Sequence, residues 1–251
     1  MKYVRGPGIL LFWIGVWWLL ALAVGKDVLI PGPDRVAVKL AELLTVPDFY
    51  KSVGLSIARI LLGFSAATLA GAVLGVLCAK VRWVDMFLSP LLSVIKATPV
   101  ASFIILALVL INKEILPAAI SFLMVLPVIH GNVRQGVLET DGKLLEMMRF
   151  FGASRKDILT KLYVPQVFPY FLTGVRTCLG LAWKAGVAAE VLCYPKYSVG
   201  TNLYQSKVYL ETDSLFAWTV VIIVISMVIE KILMRLIEYV VARRREEKSR
   251  D

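Results

Sequence analysis

Arg176, Trp183 and Glu190 stand at seven-residue intervals inside an otherwise apolar run, with Lys184 beside Trp183. Seven residues is close to two helical turns, and each such step drifts only about 20° on a straight helix. If the run is a helix that crosses a bilayer, the three side chains fall on one face. An ionisable group at mid-bilayer costs roughly 2.5–3.5 kcal/mol on insertion scales, so it usually faces a cavity or a protein partner. The chemistry on offer is recognition of a charged solute, not bond making. A second reading places Arg176 at one membrane interface, Glu190 near the other and Trp183 in packing. The sequence leaves both readings open.

Lys96 and Pro99, in SVIKATPVASF, form a second candidate. Proline removes an amide donor and kinks a helix, and carbonyls freed near position 95 are tolerable in a membrane only against protein or water. This predicts a hinge or gate. Lys96, Arg176 and Lys184 outnumber Glu190, which favours an anionic or zwitterionic solute. Catalytic chemistry finds little to work with. His130, the one histidine, ends an apolar run and reads as an interfacial side chain. Cys78, Cys178 and Cys193 are odd in number and lack metal spacing, so neither a disulfide framework nor a zinc site is indicated. No H-E-x-x-H or G-x-S-x-G occurs, which disfavours an intramembrane enzyme, and no G-x-x-x-x-G-K-[ST] offers ATP a site on this chain.

The elements that must position these residues are membrane helices. Of 251 residues, 59% are hydrophobic, against about 45–50% in soluble domains, and the mean hydropathy is +0.77. The apolar residues come in blocks, which predicts an all-α polytopic membrane protein with about six spans of roughly 20 residues each. The spans are placed at about Gly8–Val24, Ser52–Ala79, Val84–Ile111, Ile115–His130, Val167–Cys193 and Leu215–Tyr239. Ala21-Leu22-Ala23 imitates a signal-peptidase site, but Trp13, Trp17 and Trp18 suit an anchor, so the first block is expected to stay as a span. After it, LIPGPDRVAVKLAELLTVPD predicts a surface-lying amphipathic helix from Asp34 as N-cap to Thr45, stopped by Pro47. Gly54, Gly63, Gly71 and Gly75 in the second span allow close helix approach.

A net charge of +10 need not mean nucleic acid, because the cations flank apolar blocks. Lys2, Arg5, Lys80, Arg82, Arg134, Lys143, Arg149, Arg155, Lys156, Lys161 and the tail ARRREEKSR all fall on one side. The positive-inside rule makes that side, with both termini, the cytoplasm.

One cytoplasmic segment, residues 137–166, is charged and amphipathic. Asp141 can cap a short helix carrying Leu144, Leu145, Met148 and Phe151 as an apolar stripe. Gly152 fits a left-handed C-terminal cap. Ser154 with Asp157 resembles a capping box that starts a second helix, ended by Pro165. An apolar stripe in a cytosolic loop needs something to cover it.

Glu146-Met147-Met148, three residues, Gly152, nine residues, then Leu162-Tyr163-Val164-Pro165 resembles the EAA loop of ABC-importer permeases, which reads E-A-A, three residues, G, nine residues, I-x-L-P. Met147 and Met148 replace the alanines, Leu162 the isoleucine and Val164 the leucine, all apolar for apolar. LIPGPDRV, SIARILLGF, PLLSVIKATPVASF and FGASRKDILTKLYVPQVFPYFLTGVRTCLGLAWKAGVAAEVL likewise resemble the nitrate/sulfonate/taurine-type permeases of bacterial inner membranes.

The resemblance implies a type I ABC importer permease fold. Residues 1–51 would form the first span and external helix, 52–240 the transmembrane core, and 241–251 a basic tail. The loop would be a coupling helix docking in a cleft of a separate ATP-binding subunit, present in two copies, which holds ATP and magnesium. There Glu146 would meet basic or polar groups while Met148 and Phe151 fill the cleft; methionine's flexible thioether suits an interface that re-forms each cycle. A second permease chain and an extracytoplasmic solute-binding protein complete the assembly. The fifth span, with Trp183 and Glu190, would help line the pathway. Relatives of this type carry nitrate, bicarbonate, sulfonates, taurine or vitamin-like heterocycles. An ion-coupled secondary transporter is the alternative, but it would show internal repeats and no coupling loop.

Overall fold

The computed structural model describes residues 2–248. In chain order the helices are α1 (Lys2–Val24), α2 (Pro33–Thr45), α3 (Pro47–Lys80), α4 (Arg82–Ala97), α5 (Val100–Leu110), α6 (Leu116–Leu138), α7 (Gly142–Phe150), α8 (Arg155–Asp157), a π-helical turn (Ile158–Tyr163), α9 (Val164–Cys193), α10 (Val199–Val208) and α11 (Thr212–Lys248). No strand occurs among the described residues, as the blockwise hydrophobicity requires. Residues 249–251 of the basic tail lie outside the described residues.

By length and composition, α3 and α6 can each cross a membrane, and α4 with α5 makes a third crossing if the pair counts as one. The other expected spans fall on α1, where Leu11–Val24 is a shorter apolar stretch, and on α9 and α11. The expected single span Val84–Ile111 is two helices bent by 108°. The cause is local. Thr98 has φ −83° and ψ 130°, the extended backbone that a following proline imposes, and Pro99 then caps α5. Pro90 lies inside α4 without ending it.

The chain forms two compact units. One comprises Met1–Ser56 with Glu190–Ile225. Its core gathers Val199, Trp218 and Val221, covered by Leu40, Leu43, Phe49, Val53 and Leu203. Phe49 packs on Trp218 with centroids 5.4 Å apart, and Trp17 stacks on Phe216 at 5.9 Å. The amphipathic helix α2 turns Leu40 and Leu43 onto this core, while Val38 and Leu44 stay exposed. Asp34 does not cap it, correcting the expected start. Gly32 is the N-cap and Pro33 opens the helix, its fixed φ already helical. Pro47 separates α2 from α3 by starting the latter.

The other unit comprises Ile57–Ala189 with Ser226–Asp251, and α6 runs through its centre with Ile120, Val125 and Ile129 fully buried. Three of the four glycines in α3 explain how closely α6 approaches. A Cβ on Gly63 would stand 2.1 Å from the Ala118 carbonyl, on Gly71 3.0 Å from the Ile129 Cβ, and on Gly75 2.8 Å from the His130 carbonyl. Gly54 meets nothing and has no such role. His130 is not interfacial: α6 continues through Pro127 to Leu138, and the imidazole is buried.

Candidate functional site

The loop expected to be gripped by a partner is built from capping chemistry. The Asp141 carboxylate accepts from the Lys143 and Leu144 amides at 2.9 and 3.4 Å, starting α7. The Asp141 amide donates to Gln166 Oε1 at 3.2 Å, tying the two ends of the segment together. Gly152 has φ +69°. Its amide donates to the Arg149 carbonyl and the Ala153 amide to the Met148 carbonyl, at 3.0 and 2.9 Å. This pair of bonds is the Schellman closure of a helix. Ser154 Oγ then accepts from the Asp157 amide at 3.1 Å and donates to its carboxylate at 2.5 Å, starting the next turn. Lys161, 2.7 Å from the Asp157 carboxylate, and then Ser154 hold that carboxyl below its ordinary value.

Pro165 does not end this second helix, correcting the expected stop. The backbone widens into the π-helical turn Ile158–Tyr163 and continues into α9 with Pro165 in its first turn. Proline's missing amide is harmless where the i→i−4 ladder has already been opened. Leu162 is 1% exposed and anchors the turn.

The elbow's apolar face differs in detail from the sequence stripe. Leu145 and Met148 are half-buried, because α7 packs on the π-helical turn. The exposed groups are Leu144, Met147, Phe150 at 86% and Phe151 at 78%. The two rings pack edge to face with centroids 5.6 Å apart. Glu146 is exposed beside them. Phe150 was missed because it lies off the three- and four-residue stripe.

The span residues do not share one environment. Arg176 and Lys184 are exposed, whereas Trp183 is 4% and Glu190 0% exposed. Trp183 lines a crevice with Ile60, Phe64 and Ile229 whose volume is about 10 Å³, room for about one water. The Glu190 carboxylate accepts from Ser56 Oγ at 2.8 Å and from the Gly200 amide at 3.1 Å. Ser56 Oγ in turn accepts from the Val199 amide at 3.0 Å. Glu190 therefore sits at the N-terminus of α10, where orphan amides and the helix dipole favour a negative charge. Ser198 completes the cap through the Thr201 amide at 3.0 Å.

Lys96 and Pro99 are both exposed. The Lys96 ammonium stands 3.8 Å from where a Cβ on Gly131 would lie, so it reaches toward α6. Two ion pairs were not anticipated: Arg134 with Asp85 at 2.8 Å, where Ser89 also donates to Asp85 at 3.0 Å, and Arg59 with Glu114. Each joins residues some 50 positions apart, which local spacing cannot reveal. Among the described residues no three His, Cys, Asp or Glu side chains gather as metal ligands would.

The all-helical fold with its long apolar helices is that of a membrane protein, and comparison with known proteins gives its family. The chain belongs to the family described as binding-protein-dependent transport system inner membrane component, which it matches over residues 71–246. A protein of Brucella melitensis named as an ABC transporter permease is 28% identical over 232 residues, covering 91% of this chain and 93% of that one. A Bacillus subtilis protein named as an aliphatic sulfonates transport permease is 24% identical over 231 residues, covering 90% and 81%. Further relatives are named as nitrate and taurine permeases. The crystal structure of an amino acid ABC transporter with histidines shares the fold, with TM-score 0.63 at 16% identity over 81% of this chain and 97% of that one.

Proposed function

We propose that this chain is the transmembrane subunit of an ATP-driven importer, forming half of a solute pathway and coupling through residues 137–166 to a separate ATP-binding subunit. The observation that carries the reading is the exposed Phe150–Phe151 pair on a rigidly capped elbow beside Glu146. Two large rings left in solvent on a segment closed by a Schellman turn are preorganised for a cleft, and aromatic anchors dominate such interfaces. In this proposal ATP and magnesium are held by two copies of the partner subunit. A second permease chain completes the pathway, and an extracytoplasmic binding protein delivers the solute. The termini and the loop face the cytoplasm, as the cation distribution supports.

The exposed cations Lys96, Arg176 and Lys184 face the pathway, with Pro99 at the bend as its hinge. The solute is small and anionic or zwitterionic, in keeping with those cations and with relatives named for sulfonate, taurine and nitrate. Glu190 serves the pathway indirectly by fixing α10. Co-expression with the ATP-binding subunit tests the coupling. The wild-type pair should co-purify, and Glu146→Lys with Gly152→Pro should abolish co-purification while the permease stays in the membrane. Wild-type yield of the complex from that variant would refute the assignment. Cysteines at Lys113 or Tyr204, but not at Ser154, should react with an impermeant maleimide from outside in a cysteine-free background.

A further inference from the structure

A groove of about 210 Å³ opens beside the π-helical turn. Ala72, Val76 and Lys80, one face of α3 at four-residue spacing, form one wall, and Phe168 and Phe171 of α9 form the other. Val133 and Val137 of α6 are its buried floor, and Leu159 is at its rim. Among the described residues that line it, Lys80 alone is charged. Its ammonium lies 4.6 Å from the centre of the Tyr163 ring, a cation–π contact that holds the charge at one end of the groove.

We propose that this groove binds one acyl chain of an anionic phospholipid, with the lipid phosphate on Lys80. The shape argues for a chain. The eight residue steps of α3 from Ala72 to Lys80 give a trough about 12 Å long at 1.5 Å per residue. Its lining, apolar but for Lys80, suits a flexible hydrocarbon chain. The charge argues for the headgroup. A lysine fixed at the end of an otherwise apolar slot matches an amphiphile whose polar end is negative, and each cation near an anionic surface contributes measurably to binding. Because Leu159 and Tyr163 belong to the π-helical turn, a bound chain would brace the segment that carries the elbow. The site stands independently of which solute the protein moves.

The test uses the full chain purified in mild detergent, with dioleoyl-phosphatidylglycerol and dioleoyl-phosphatidylcholine as probes and native mass spectrometry as the readout. One phosphatidylglycerol per chain should be retained, in preference to phosphatidylcholine. Ala72→Phe with Val76→Phe, which fills the trough, should remove the retained lipid. Lys80→Gln, at an exposed position, should keep a lipid but lower the preference for phosphatidylglycerol by about fivefold. Soluble glycerophosphate should not compete, because the chain supplies the burial. Unchanged retention in the filled variant, loss of preference to glycerophosphate, or no retained lipid in the wild type would each overturn the proposal. So would a filled variant that loses a second copy of the chain instead of lipid.

Discussion

Glu190 and Phe150 are misplaced by ordinary rules in opposite senses. Glu190 is a carboxylate with no exposure, and Phe150 is a large ring at 86% exposure. For Glu190 the chain itself supplies the remedy. Ser56 and the Gly200 amide take up the charge, and α10 gains a cap in return. For Phe150 and Phe151 the chain supplies only the frame: the Asp141 cap, the Schellman closure at Gly152 and the Ser154 cap. Nothing covers the rings. In the proposed reading the buried carboxylate serves the fold and the exposed apolar pair on the braced elbow serves an interface. Burial, more than residue type, separates the two.

The widest break of this contrast comes from removing the carboxylate. Glu190→Ala should cost about 3 kcal/mol, since two donors lose a charged acceptor in a buried place, and should lower the melting temperature of the purified chain. Glu190→Gln keeps an acceptor, so it should cost about 1 kcal/mol and leave solute uptake per folded molecule near normal. Lost uptake at unchanged stability would instead return Glu190 to the pathway. Gly200→Ala attacks the same knot sterically, because its Cβ would stand 2.5 Å from the Glu190 Cβ and 2.7 Å from the Val191 amide. A cost of about 1–3 kcal/mol is expected from such overpacking, read by the same melting experiment.

Gly152→Ala should be milder, about 1–2 kcal/mol of left-handed strain. Its Cβ meets nothing, so the loss should show in amide exchange of residues 147–157 and not in global melting. The smallest effect is electrostatic. Asp157 is held below its ordinary value by Lys161 and Ser154. Its contribution is therefore complete above that ordinary value and fades as pH falls through the lower folded-state value. Lys161→Ala should move the carboxyl midpoint upward toward its ordinary value, with Ser154 still holding it somewhat below, followed by the Asp157 carboxyl shift in NMR.

Capping residues made the elbow legible. Asp141, Gly152 and Ser154 act through neighbours within a few positions, and each does what its spacing predicts. Gly63, Gly71 and Gly75 were legible for the same reason, since small residues on one helix face permit contact whatever the partner. The partners of Glu190 were not, because Ser56 and Gly200 reach it through folding across 134 and 10 positions. The seven-residue repeat is correct as geometry but cannot say what lies opposite each residue. Pro165 misled because a proline in the first turn after a π-helical segment need not end the helix. Phe150 was hidden because helical spacing groups residues by angle and cannot show which side the π-helical turn covers.

The proposed coupling turns on whether the exposed rings are held for a partner. Phe150→Ser with Phe151→Ser removes them while leaving the capping hydrogen bonds, which at Phe151 are made by the backbone, in place. The melting temperature should stay within the equivalent of about 0.5 kcal/mol, as for other exposed sites. Measured alongside, co-purification of the ATP-binding subunit with the tagged permease should fall at least tenfold from the wild-type level. Undiminished co-purification from a folded double variant would contradict the account.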